Sequence, residues 1–164
     1  MLGPMNFIPQ AARAAFAPFT PDPTPAPQLR PQPLRILVAD DNRDNRMQVN
    51  AVLMRWGLVP TIACNGLQAV QLAEMHDFDM VLMDILMPVM DGIVATAKIR
   101  QIEREKLARR PVPIVAYTSL DLAADGPQLQ RVGLSAVLAK PCSAASMRLC
   151  LERWCPDKFW PGSH

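Results

Sequence analysis

The sequence predicts an α/β fold, a five-stranded parallel sheet wound doubly with helices on both faces. Three observations carry this. Five short apolar runs alternate with five segments of helical spacing between residues 34 and 155. The runs are continuous rather than alternating, as strands covered on both faces must be. Pro60 interrupts the second run, and a proline that removes a ladder hydrogen bond belongs on a sheet edge.

LRILVA (34–39) is of strand length and ends at Asp40-Asp41-Asn42. Asn42 or Asp44 caps a helix through about Trp56, with Met47, Ala51, Leu53 and Met54 at helical spacing. Gly57 stops it. LVPTIAC (58–64) is the second strand, and Asn65-Gly66 turns into a helix over 66–76. MVLMD (80–84) is the third strand, and Gly92 to about Ala108 is helical. PIVAYT (113–118) is the fourth strand, followed by a short helix around Gln128–Val132 that ends at Gly133. AVLA (136–139) is the last strand, and Ser143 caps a closing helix through Trp154. Right-handed crossovers leave few topologies. The flavodoxin-like order 2-1-3-4-5 puts the Pro60 strand at an edge.

Residues 1–33 hold nine of the 17 prolines, at alternate positions from Pro21 to Pro27, which neither a helix nor an inner strand accepts. They read as a semi-extended linker or disordered tail, with at most a transient turn at 11–19. Residues 34–155 are the folded domain and 156–164 a short tail. The net charge of +2 comes with no Lys/Arg cluster, which gives direct nucleic-acid binding no support. Cys64, Cys142, Cys150 and Cys155 form no Cys-x-x-Cys, so buried free thiols are expected rather than zinc. No apolar stretch is long enough for a membrane span and no signal peptide is visible, so a cytoplasmic, reduced protein is expected.

The polar residues fall in one place. Asp40 and Asp41 follow the first strand, Asp84 ends the third, Thr118 the fourth, and Lys140 follows the fifth. In an open α/β sheet, ligands sit beyond the carboxyl ends of the strands, where strand order reverses. A single Asp after a strand is commonly a helix cap, but five such groups on one sheet end are not explained that way. Two carboxylates about 4 Å apart repel by roughly 4 kcal/mol at an effective dielectric near 20. Lys140 offsets one of three negative charges, and the remainder would raise a carboxylate pKa or recruit a divalent cation. All-oxygen ligands favour a hard ion, and Mg²⁺ with one or two carboxylates and phosphate oxygens fits. A carboxylate nucleophile, a metal, a lysine and a hydroxyl outline a phosphoryl-transfer site.

ILVADDN (36–42), VLMDILMPVMDG (81–92), PIVAYTS (113–119) and LAKP (138–141), in this order and spacing, resemble the receiver domains of response regulators and hybrid histidine kinases. The resemblance covers residues 34–155. It implies that Asp84 accepts a phosphoryl group from a phosphohistidine on a histidine kinase or a histidine phosphotransfer protein. It implies that Asp41 binds Mg²⁺ directly, Asp40 largely through water, and Asp84 and the backbone carbonyl of Leu86 complete the metal site. Thr118 is then the switch hydroxyl, Lys140 the partner of Asp84 and later of a phosphate oxygen, and Lys140-Pro141 a candidate cis peptide. Phosphorylation would bias a downstream protein-binding face over strand four, helix four, strand five and helix five. Val137 stands where the family often has a rotating Tyr or Phe, and Tyr117 is a weak substitute. No phosphodonor histidine in its helical context appears, His76 and His164 reading as surface residues. The chain resembles either a single-domain regulator or the receiver of a hybrid kinase serving as relay or phosphate sink. An aspartate-nucleophile phosphatase is disfavoured, because Leu86 stands where such enzymes carry a second acid. A non-phosphorylated interaction module is disfavoured by the complete set of acids, Thr and Lys.

Overall fold

The computed structural model describes residues 33–108, 110–119 and 126–158. The predicted linker up to residue 32, the end of the tail from 159 and His164 lie outside the described residues. The element order is β1 (Ile36–Ala39), α1 (Arg43–Met54), β2 (Thr61–Ala63), α2 (Gly66–Met75), β3 (Met80–Met83), α3 (Gly92–Glu105), β4 (Ile114–Thr118), α4 (Gly126–Val132), β5 (Ala136–Ala139) and α5 (Ala144–Trp154). The strands form one parallel sheet in the order β2-β1-β3-β4-β5, as expected.

Because side chains alternate across a strand, each inner strand feeds two cores. Leu37, Val81, Met83, Ile114 and Ala116 pack against Ala69 and Val70 of α2, Ala95 and Ile99 of α3 and Leu129 of α4. Ile36, Val38, Met80, Leu82, Val115 and Tyr117 face Val49 and Leu53 of α1 and Met147 and Leu151 of α5. β1 and β3 are buried at every position, which is why neither shows polar alternation.

Asn42, of the two candidates, caps α1 through the N–H groups of Asp44 and Asn45. Asn65, Asp91 and Ser143 cap α2, α3 and α5 in the same way. Gly57 ends α1 at φ 69°, with Leu58 N–H donating to the Leu53 carbonyl and Gly57 N–H to that of Met54, a Schellman turn. The same bonds close α3, Ala108 N–H to Glu103 and Leu107 N–H to Arg104. Leu107 occupies the left-handed position at φ 52°, so α3 stops at Glu105 rather than near Ala108.

Three other expectations are corrected. The buried face of α1 is Val49 and Leu53, while Met47 (57% exposed), Ala51 and Met54 (56%) face solvent. Two apolar stripes run along this helix, and spacing alone does not say which one meets the sheet. β2 begins after Pro60 rather than spanning it, since the proline nitrogen has no hydrogen for the ladder. Of the four thiols, Cys155 alone is buried; Cys64 is exposed, Cys142 and Cys150 are half-buried, and all four are free. Cys155 to Lys158 turn back under the sheet, with Lys158 Nζ 3.0 Å from Asp79 Oδ1.

Candidate active site

Continuation of the sheet ladder past the strand ends places the polar residues. Asp40 N–H donates to Ala63 O (3.1 Å), Asp84 N–H to Ala39 O (2.8 Å) and Lys140 N–H to Thr118 O (2.9 Å). Carboxylate oxygens of Asp40, Asp41 and Asp84 lie within 4.8 Å of one another. Lys140 Nζ sits 2.7 Å from Asp84 Oδ2 and 2.6 Å from Asp40 Oδ2. Asp41, Asp84, Leu86, Thr118 and Lys140 line one cleft, with Asn42, Asn45 and Gln48 on its α1 side. The sheet end therefore brings together every residue proposed from the sequence, with Asp40 beneath the floor of the cleft. The Lys140-Pro141 bond is cis.

Each acid has a different setting. Asp40 is fully buried: its Oδ1 accepts from Asn42 N–H (2.8 Å) and Asn45 Nδ2 (3.3 Å), and its Oδ2 is held by the Lys140 ammonium at 2.6 Å. Asp41 is exposed at the mouth. Asp84 is 6% exposed and ends the central strand β3. Burial pushes the Asp84 carboxyl above its ordinary value, the Lys140 ammonium and the Leu86 N–H oppose that, and the Asp40 carboxylate adds to it. Lys140 also lies 5.1 Å above the centre of the Tyr117 ring. That ring is 1% exposed, in the core between the sheet and α1/α5, and burial followed by Cys142 pushes its hydroxyl up to about 12. Tyr117 therefore supports Lys140 from below and does not reach the surface beside Val137. Thr118 is buried at the end of β4, and Val137 is 43% exposed.

The loop after Asp84 is tightly folded. Gly92 opens α3 so close to β3 that a Cβ there would stand 2.0 Å from the Asp84 carbonyl oxygen, and its N–H donates to Ile85 O at 2.9 Å. The Asp91-Gly92 pair thus supplies a cap and a close approach. Sequence reasoning missed three positioning groups: Asn45, the Tyr117 ring and Arg46, whose Nη1 donates to the carbonyls of Asp40 (2.8 Å) and Asp41 (2.9 Å). The signal available was Asn42, Asn45 and Arg46 within the first turn of α1, all able to reach back to the acids.

The residues fit a hard divalent cation: three carboxylates converge and all candidate ligand atoms are oxygen.

A family model described as "Response regulator receiver domain" matches residues 36–152. Autoinducer 2 sensor kinase/phosphatase LuxQ of Vibrio cholerae is 32% identical over 134 residues, covering 82% of this chain and 15% of that protein. The receiver domain of sensor histidine kinase PA1611 from Pseudomonas aeruginosa has a magnesium ion coordinated in its active-site cleft. It matches with a TM-score of 0.67 and 35% identity over 76% of this chain and 98% of that one. A receiver domain of Saccharomyces cerevisiae, Ssk1 in complex with the histidine phosphotransfer protein Ypd1, matches with a TM-score of 0.70 and 25% identity, covering 77% and 92%. This chain spans a sixth or less of the curated relatives' length.

Proposed function

Because this chain belongs to the response regulator receiver domain family, we propose that it accepts a phosphoryl group on Asp84 from a phosphohistidine of a partner protein. The observation that carries the reading is the Asp84 carboxylate at the end of the central strand, within reach of Lys140 and two further acids. In the transfer, the P–N bond to imidazole breaks as an Asp84 carboxylate oxygen forms the P–O bond, and the imidazole nitrogen keeps the electron pair. Asp41, Asp84 and the Leu86 carbonyl would hold Mg²⁺, with Asp40 beyond them. The ion, when bound, neutralises charge on the phosphoryl oxygens. Lys140 releases Asp84 and turns to a phosphoryl oxygen, while Asp40 keeps it at the site. Thr118 donates its hydroxyl to another phosphoryl oxygen.

Histidine kinases and histidine phosphotransfer proteins are the proposed donors, the latter supported by the Ssk1–Ypd1 complex. The receiver portion of a hybrid kinase acting as relay or sink is the alternative reading, supported by the similarity to the sensor kinase/phosphatase LuxQ. A downstream protein is proposed to read the face of β4, α4, β5 and α5, where Val137 (43%) and Leu149 (67%) are exposed. Among the described residues no helix is long and apolar enough to cross a membrane. Four free thiols are consistent with the proposed cytoplasmic setting.

The test is labelling by acetyl phosphate or a phosphorylated kinase with Mg²⁺. Wild-type chain should acquire an acid-stable, base-labile phosphate, and Asp84→Asn should acquire none. Undiminished labelling of Asp84→Asn refutes the assignment of Asp84.

A further inference from the structure

The direction in which the Asp41 side chain leaves the main chain is set by the backbone, and no donor among the described residues engages its carboxylate. The peptide preceding its Cα carries the Asp40 carbonyl, and the peptide following it carries the Asp41 carbonyl. Rotation of these two planes is the φ and the ψ of Asp41. One nitrogen holds both: Arg46 Nη1 donates to Asp40 O at 2.8 Å and to Asp41 O at 2.9 Å. Arg46 is half-buried on the first turns of α1, and its own N–H donates to Asn42 O at 3.2 Å, so the helix that fixes it also anchors the far end of the loop. No carboxylate pairs with Arg46 among the described residues; both described hydrogen bonds of its side chain go to these two carbonyls.

We infer that Arg46 is the positioning residue of the cation site: by holding the peptide planes on both sides of Asp41, it aims that carboxylate at Asp84. The inference rests on the Mg²⁺ reading above. It makes a prediction opposite to simple electrostatics. A positive charge beside a cation site repels the cation, so if Arg46 acted only as a charge, removing it would tighten Mg²⁺ binding. If it acts by positioning, removing it weakens binding although a repelling charge is gone. Groups that orient a metal ligand contribute about 10- to 100-fold in affinity.

The experiment is calorimetric titration of the full metal-free chain with MgCl₂, with thermal unfolding recorded without metal. Arg46→Met keeps the length of the side chain and removes its donors. It should bind Mg²⁺ at least tenfold more weakly, while Arg46→Lys, which keeps the charge and reaches one carbonyl, should fall between it and wild type. In both variants the ¹³C carbonyl resonances of Asp40 and Asp41 should shift before any metal is added. Unchanged or tighter binding by a folded Arg46→Met overturns the inference. If Arg46→Met does not fold, Arg46→Lys decides: shifted carbonyl resonances with wild-type Mg²⁺ affinity overturn it. A wild-type chain that binds no Mg²⁺ overturns the cation reading itself, and this inference with it.

Discussion

Lys140→Met isolates the electrostatics of the site. The Lys140 ammonium stands between Asp40 and Asp84, 2.6 and 2.7 Å away, and is the one cation that pairs with a carboxylate of the cluster among the described residues. Its removal leaves carboxylates within 4.8 Å of one another, at which distance two full charges repel by about 3.5 kcal/mol for an effective dielectric of 20. Breaking a buried ion pair costs about 3–5 kcal/mol when the partner charge stays behind. The variant should thus lose about 3 kcal/mol at pH 8, read from urea unfolding monitored by circular dichroism. The pH dependence has a defined sign. Burial and the neighbouring Asp40 charge hold the Asp84 pKa above its unfolded value, so the native state binds more protons than the unfolded chain, and stability falls as pH rises through that raised value. At about pH 4 and below, most of the deficit should vanish as Asp84 takes up a proton. Adding Asp40→Asn to Lys140→Met, or saturating with Mg²⁺, should recover most of the loss at pH 8. A deficit of equal size at pH 4 and pH 8, unrelieved by Asp40→Asn, would refute the electrostatic account and leave lost packing over Tyr117 as the cause.

Two further outcomes follow from the backbone and from the sheet's lower rim. Leu107 (φ 52°, 87% exposed) and Val89 (φ 69°, 77% exposed) occupy the left-handed region that costs an L side chain roughly 1–2 kcal/mol. Leu107→Gly and Val89→Asn should each stabilise the fold by about 1 kcal/mol, seen as a higher thermal midpoint; a lower midpoint in both would refute the strain. Asp79 accepts Arg35 N–H at 2.8 Å and pairs with Lys158 and with the Arg35 side chain. Burial pushes its carboxyl up, but the bonds from Arg35 and Lys158 outweigh that and hold it below 3.8. Its stabilisation is therefore present above the ordinary carboxylate value and lost as pH falls through the lowered one. Asp79→Asn should cost about 1–2 kcal/mol at pH 7 and progressively less as pH falls below the ordinary carboxylate value, by urea unfolding at each pH.

Element type and order were legible because they depend on local chemistry: Asn42 or Asp44, the Asn65-Gly66 turn and Ser143 mark helix starts, and Gly57 accepts a positive φ that other residues resist. The topology was legible because both-face burial and Pro60 left few arrangements. The orientation of α1 was not, since Met47, Ala51 and Met54 fit the helical period as well as Val49 and Leu53, and only the sheet selects between them. The end of α3 was misplaced because Leu107 takes the role a glycine would have announced.

By itself, the chain of residues determined which acids, hydroxyl and lysine reach the carboxyl ends of the strands, since a parallel sheet sends every strand end to the same rim. Tertiary structure alone decided how those groups divide the work. Lys140 bridges Asp40 as well as Asp84, the Tyr117 ring lies beneath its ammonium, and Arg46 reaches back to two carbonyls. The reason is geometric. Residue type and strand register fix where a Cα lies to within a residue or two, whereas an ion pair or hydrogen bond needs an atom placed to a few tenths of an ångström, which side-chain packing around the site supplies.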